Sequence, residues 1–301
     1  MTRYWPLLLL LASMWGASYL FIKLAVEDIP PASMTELRVL FAGVLLAAYL
    51  AARLGISRTL DELRGAWLPC LVLGIINAAL PMTLVAWGET HIDSSIAAIA
   101  QASVPIFVAL LSLRFLPHEP LGPTRIVGLV VGISGVALVT GFHPGGEWWA
   151  VAGTLAVVLS SVSYASGGIY GQLHVHGAPG PVLATGSMLA AAAVLLPFAV
   201  SDPPTAAPGP AAVAGLAALI LLPTVIGQLL LFRILRLHGS RRLSLVTYLM
   251  PAFAIVYGAA ILDEPITVAA LGGLALILVG IALASGVGPR VIGTRPQGST
   301  A

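Results

Sequence analysis

The chain has 301 residues, 58% of them hydrophobic and only 9% charged, with a formal net charge of +2 and a mean hydropathy of +1.00. A soluble domain carries about 25% charged residues, so the composition excludes a water-soluble fold and makes lipid the solvent. The single cysteine, Cys70, excludes an internal disulfide. The pair His174 and His176 has no neighbouring carboxylate or thiol to complete a metal site.

A helix needs about 20 apolar residues to cross the hydrocarbon. Ten such spans are predicted in chain order, over 5–25, 33–52, 67–87, 93–114, 123–141, 148–171, 180–200, 211–234, 243–262 and 267–286. Turn-forming clusters separate them. They include Asp28-Ile29-Pro30-Pro31, Arg53 to Gly65, Glu89 to Asp93, Pro117 to Pro120 and Asp263-Glu264-Pro265. The connections are short and leave no room for a soluble domain. The polar tail over 289–301 reads as disordered.

Basic residues sort by side. With the N-terminus in the cytoplasm and ten crossings, twelve of the fourteen Lys and Arg fall on the inner side, and Lys23 and Arg38 lie within spans. The outer loops receive Glu27, Asp28, Glu89, Asp93, Glu147, Asp202, Asp263 and Glu264. By the positive-inside rule, both termini are cytoplasmic in a multi-pass inner-membrane protein.

The chain also repeats itself. Pro105 matches Pro251, Glu119-Pro120 matches Glu264-Pro265, Gly128 matches Gly273 and Gly135 matches Gly280. Ser13, Ala17 and Ser18 match Ser161, Ala165 and Ser166, and Pro31 matches Pro179. The repeats are assigned to 1–143 (spans one to five) and 144–288 (spans six to ten). Five is odd, so the second copy enters the membrane upside down. That is the expected arrangement for alternating access around a central site.

Trp15-Gly16-Ala17-Ser18 followed by Phe21-Ile22-Lys23, then Leu37-Arg38, then twice a Pro, a Glu-Pro and a Gly-rich span, resembles the EamA-type branch of the drug/metabolite transporter superfamily. The resemblance runs from about Trp5 to Ser285. It implies an all-α, ten-helix, two-repeat carrier of small metabolites. Such carriers often move amino acids or their analogues, usually outward.

Polar and aromatic residues inside spans are costly in lipid and turn towards protein or a water-filled cavity. The candidates for a solute site are Trp15, Ser18, Tyr19, Asn77, Trp87, Gln101, Tyr164, Gln228 and Tyr248. For each amide the alternative is an interhelical hydrogen bond, and for each aromatic it is packing. Such a lining suits a neutral or zwitterionic, partly apolar solute. Pro81, Pro105, Pro223 and Pro251 lie inside spans three, four, eight and nine, the expected cavity walls, either exposing backbone groups to solute or kinking the helix for packing. Lys23, Glu36 and Arg38 are expected to form an ionic gate at the outer mouth; the alternative is that all three snorkel to the interface and serve only topology. In the gate Glu36 faces Lys23 and Arg38 points to a solute carboxylate or neighbouring carbonyls.

The Glu-Pro pairs read as helix starts for spans five and ten, the Glu sitting at the positive end of the helix dipole; a solute role for Glu119 and Glu264 is the alternative. Gly128-x-x-x-Gly132 and Gly280-x-x-x-Ala284 permit close helix approach. They serve contact between spans five and ten or a homodimer through them, and Gly167-x-x-x-Gly171 serves a neighbouring core helix. No residue pattern calls for a cofactor, a metal or nucleic acid; the expected partners are a small-molecule solute and membrane lipid.

Bilayer enzymes that use Mg²⁺ need clustered Asp, which the mid-span regions lack. Span one carries no carboxylate between Trp5 and Leu24, so exchange or facilitated diffusion is expected. A proton-coupled multidrug or other metabolite exporter is the alternative, and a channel or a membrane-embedded enzyme stands behind it.

Overall fold

A computed structural model describes residues 4–116, 122–141, 148–239, 243 and 245–284. All regular structure among them is helical. The first half contains α1 (Tyr4–Val26), α2 (Pro31–Leu54), α3 (Ile56–Gly65), α4 (Trp67–Gly74), α5 (Leu80–Glu89), α6 (Ser94–Gln101), α7 (Val104–Phe115) and α8 (Pro123–Gly141). The second contains α9 (Trp148–His174), α10 (Gly180–Ser201), α11 (Pro210–Leu219), α12 (Gly227–His238), α13 (Val246–Ile261) and α14 (Val268–Ala284). Among the described residues eight helical segments are long and apolar enough to cross a membrane, and α13 and α14 are shorter apolar helices. The chain is a multi-pass membrane protein.

Local sequence explains the ends. Pro31 opens α2, where a missing N–H costs nothing, and Gly55 closes it at φ 87°. The expected loop from Arg53 to Gly65 is largely the amphipathic helix α3. Its exposed Arg58–Glu62 pair, 3.9 Å apart, contributes little in water. Trp5, Trp67, Trp148 and Trp149 are exposed at helix ends, the position of an interfacial belt. One end of the bundle gathers Arg53, Arg58, Arg64, Arg233 and Arg236. The other gathers Glu27, Asp28, Asp93, Asp202, Asp263 and Glu264. These are the basic and acidic ends below.

Two spans contain π-helical turns, Ile75–Ala79 between α4 and α5 and Ile220–Ile226 between α11 and α12, whose first residues are 145 positions apart. A third span breaks at Ala102-Ser103, between α6 and α7, just before Pro105. Pro81 and Pro223 sit after or within the π turns. Pro251 lies inside an unbroken α13. Three of the four mid-span prolines therefore mark an irregularity, because a proline ring removes one i→i−4 bond and its neighbours rewind around it.

Glycine sets the closest helix contacts. A Cβ on Gly128 would lie 2.7 Å from the Gly280 carbonyl oxygen, and one on Gly135 2.8 Å from that of Gly273. Position numbers rise on α8 as they fall on α14, so the two helices run antiparallel. The small-residue faces of spans five and ten pack on each other within the chain. Gly167 packs against Asn77, whereas Gly171 meets nothing within 4 Å, so only one member of that pair serves helix contact.

Glu264 corrects the reading of the Glu-Pro pairs. Pro265 precedes α14 by three residues, and Glu264 does not cap that helix. Its carboxylate accepts hydrogen bonds from the main-chain N–H groups of Ser94 (2.7 Å) and Ser95 (3.0 Å), at the start of α6. The positive helix end that it faces belongs to the other half of the chain. Glu119-Pro120 and the tail over 289–301 lie outside the described residues.

Candidate functional site

A cavity of about 480 Å³ lies between the two halves. α1 contributes Trp15, Ser18, Tyr19 and Ile22, α2 contributes Arg38, and the third span Asn77, Met82 and Val85. The broken fourth span supplies Gln101 and Pro105. From the second half come Tyr164, Ser187, Pro223, Thr224, Gln228, Phe232 and Met250. Of the nine residues singled out in the sequence, seven line this space. Trp87 and Tyr248 do not: the Trp87 ring packs edge-on against His91 at 4.6 Å, and Tyr248 packs in the apolar cluster around α8 and α14. Both are aromatic residues of predicted spans; which face of the helix they occupy decides their role.

The irregular turns build the polar wall. Trp15 donates from Nε1 to the carbonyl of Pro223 at 3.1 Å. Ser163 donates to the carbonyl of Ile76 at 2.6 Å. Each bond joins the first span of one half to the π turn of the other, where the rewound ladder leaves a carbonyl available. Gln101 is held by Ser160, whose hydroxyl lies 2.6 Å from Oε1, which leaves its amide nitrogen for another acceptor. Ser163 and Ser160 are absent from the sequence expectation, because a serine in a helix usually bonds its own backbone.

Arg38 is the charged group of the cavity among the described residues. It is buried, and its Nε donates to Thr224 Oγ1 at 3.0 Å. Thr224 in turn donates to the carbonyl of Leu219 at 2.7 Å. Among the described residues no carboxylate lies within ion-pair distance of the guanidinium. Its terminal nitrogens therefore remain available to an anionic group, and their planar fork matches a carboxylate.

The expected Lys23–Glu36 ion pair is not formed. The Lys23 ammonium donates to the main-chain carbonyls of Glu89 (2.8 Å) and Ile92 (2.9 Å), tying α1 to the turn after α5. Neither Lys23 nor Glu36 lines the cavity. Residue count along a helix does not select the neighbour across the turn; packing does.

The lining reaches Gly180, Leu183 and Phe232 near the basic end and stops at Tyr19, Ile22, Arg38 and Val85 on the acidic side. Beyond that stop, polar bonds join the halves. Ser33 donates to the carbonyls of Ala199 (3.1 Å) and Asp202 (2.7 Å). Asp28 accepts from Gly209 N–H at 2.8 Å, and Glu264 holds Ser94 and Ser95. A separate hollow of about 420 Å³ at the basic rim is lined by Arg58, Asp61, Glu62, His174 and His176. Among the described residues no group of three or more potential ligands is placed to hold a metal ion.

A multi-pass helical protein with an amphipathic cavity shared by two halves of its chain has the architecture of a membrane transporter of small solutes. The model of the EamA-like transporter family matches it twice, over residues 3–141 and 151–286. The chain belongs to that family. It is 31% identical over 160 residues to the inner membrane transporter YedA of Escherichia coli K12, a match covering 52% of this chain and 49% of YedA. It is 25% identical over 284 residues to the transporter YvbV of Bacillus subtilis, covering 94% of this chain and 91% of YvbV. Protein PagO of Salmonella typhimurium is 30% identical over 157 residues, about half of either chain. The match thus spans about half the length of YedA and of PagO. A solved crystal structure superposes with a TM-score of 0.66 at 21% identity, covering 95% of this chain and 98% of the other, a likeness of fold.

Proposed function

We propose that the protein is an alternating-access carrier for a small zwitterionic or carboxylate-bearing solute, an amino acid or an analogue, which it moves outward across the cytoplasmic membrane. The observation that carries this reading is the cavity. Its walls come from both halves, and Arg38, the one charged group lining it among the described residues, stands among the amides Asn77, Gln101 and Gln228 and the aromatic faces of Trp15, Tyr19 and Tyr164. Arg38 receives the carboxylate, the amides and π-turn region orient the amino end, and the apolar walls accept a side chain.

Two inverted five-helix repeats supply the moving parts. The antiparallel glycine contacts of α8 with α14 support the inversion. Exchanging Gly128 for Gly273 and Gly135 for Gly280 turns the Gly128–Gly280 contact into the Gly135–Gly273 contact, as a two-fold relation requires. The conformation is closed at the acidic end and extends towards the basic end. With basic residues cytoplasmic, it is the inward-facing member of the cycle, and both termini are cytoplasmic.

Counterflow in proteoliposomes tests the reading. Liposomes loaded with an unlabelled amino acid mixture should transiently accumulate labelled amino acid above equilibrium. Arg38→Ala should abolish that accumulation at equal reconstitution. Equilibration without overshoot describes a channel and sinks the carrier reading.

A further inference from the structure

Glu89 ends α5, and the sequence assigns it to a solvated loop. The structure buries it completely, at 0% exposure, and gives neither carboxyl oxygen a hydrogen-bond partner. The groups facing it are Tyr19 and Lys23 from α1, Arg38 from α2 and Glu264 from the connection before α14. None of them neutralises it by contact. The Lys23 ammonium is held by two main-chain carbonyls and lies beyond 4.0 Å from the carboxyl oxygens. Arg38 bonds Thr224. Glu264 is a second carboxylate, engaged with Ser94 and Ser95. His91, two residues on, turns its ring to Trp87 and Trp149.

An ionised carboxylate without a donor is among the most costly groups to bury, whereas a neutral acid loses far less on leaving water. Glu89 also lies one helical turn beyond Val85, where the cavity lining stops, and behind Tyr19, which forms that stop. Its burial here goes with the closed acidic end.

We propose that Glu89 is a proton-binding site that holds a proton while the acidic end is closed and releases it to water when that end opens. On opening, the O–H bond at one carboxyl oxygen breaks, a water molecule takes the proton as hydronium, and the solvated carboxylate remains; closing reverses the step. Low pH then favours the closed acidic end, and rising pH removes that bias. The absence of a carboxylate from span one, which favoured uncoupled movement, is made good by a carboxyl from span three. Among the described residues no group of three or more potential ligands surrounds it to hold a metal cation. The inference rests on the alternating-access reading, but its test needs no solute.

Two substrate-free measurements on the purified full chain test it. Infrared difference spectra between about pH 5 and about pH 9 should show a protonated-carboxyl band that Glu89→Gln removes. In a Cys70→Ala background, Met34→Cys places a reporter at a position fully buried at the acidic end. Its reaction with a maleimide, normalised to a cysteine at exposed Ser201, should accelerate at least about tenfold across that range. It should stay slow and flat in Glu89→Gln. Lys23→Met removes the nearest positive charge and should move the midpoint upwards, a second variant that keeps the carboxyl. A band that survives Glu89→Gln, the same acceleration with and without Glu89, or acceleration by sodium at fixed pH would each overturn the proposal. Failure of counterflow with intact pH responses would instead count against the solute assignment.

Discussion

Arg38 donates to Thr224 across the interface between the halves, 3.0 Å from Nε to Oγ1, so the guanidinium that lines the cavity is aimed by a hydroxyl on the opposite π turn. Arg38→Lys supplies a charge without the fork and must choose between Thr224 and a solute. Transport of a carboxylate-bearing solute is expected to fall by about tenfold or more, equivalent to about 1.4 kcal/mol, with little change in melting temperature. Thr224→Val should lower transport less, and combining it with Arg38→Lys should give less than the sum of the two losses.

The lining residues separate from their neighbours by face. Alanine at Asn77, Gln101, Tyr164 or Gln228 is expected to impair uptake at equal expression. Alanine at Ser134, which is exposed and bonds only its own helix, should leave uptake unchanged. Trp87 and Tyr248, aromatic but outside the cavity, should behave as packing residues, losing melting temperature before they lose solute affinity.

Trp15→Phe isolates one hydrogen bond. It keeps most of the aromatic surface and removes the donor to the Pro223 carbonyl. An unsatisfied buried carbonyl costs about 1–3 kcal/mol. The expected result is a lower melting temperature together with a weakened apparent solute affinity, read by uptake at several solute concentrations.

The α8–α14 contact has no room for a side chain. Gly135→Ala or Gly280→Ala forces the two backbones apart, an overpacking cost of about 1–3 kcal/mol, seen as a fall in thermal stability in detergent. Gly171→Ala, whose Cβ meets only open space, is expected to be neutral or to gain about 0.5–1 kcal/mol from helix propensity.

Glu264→Ala removes both acceptors from the start of α6, whereas Glu264→Gln keeps one carbonyl oxygen. The loss of such a cap costs about 0.5–2 kcal/mol. Thermal melting should rank wild type above Gln above Ala. Because Glu264 joins the halves at the acidic end, both variants should also raise maleimide labelling of Met34→Cys.

Hydropathy alone fixed the membrane class and the positions of the apolar segments, since a lipid-facing helix must be apolar along its whole length whatever it packs against. The glycine spacing on α8 and α14 was legible for the same reason: a backbone contact requires the absence of a side chain. Seven of the nine candidate cavity residues could be named because a polar atom in lipid must turn inward. Tertiary structure decided the rest. It chose backbone carbonyls rather than Glu36 for Lys23, sent Glu264 to the helix of the other half, turned Trp87 and Tyr248 away from the cavity, and buried Glu89, which the sequence places in an outer loop. Each depends on which face meets which neighbour, and a one-dimensional pattern carries depth in the membrane but not the rotation and partner that packing selects.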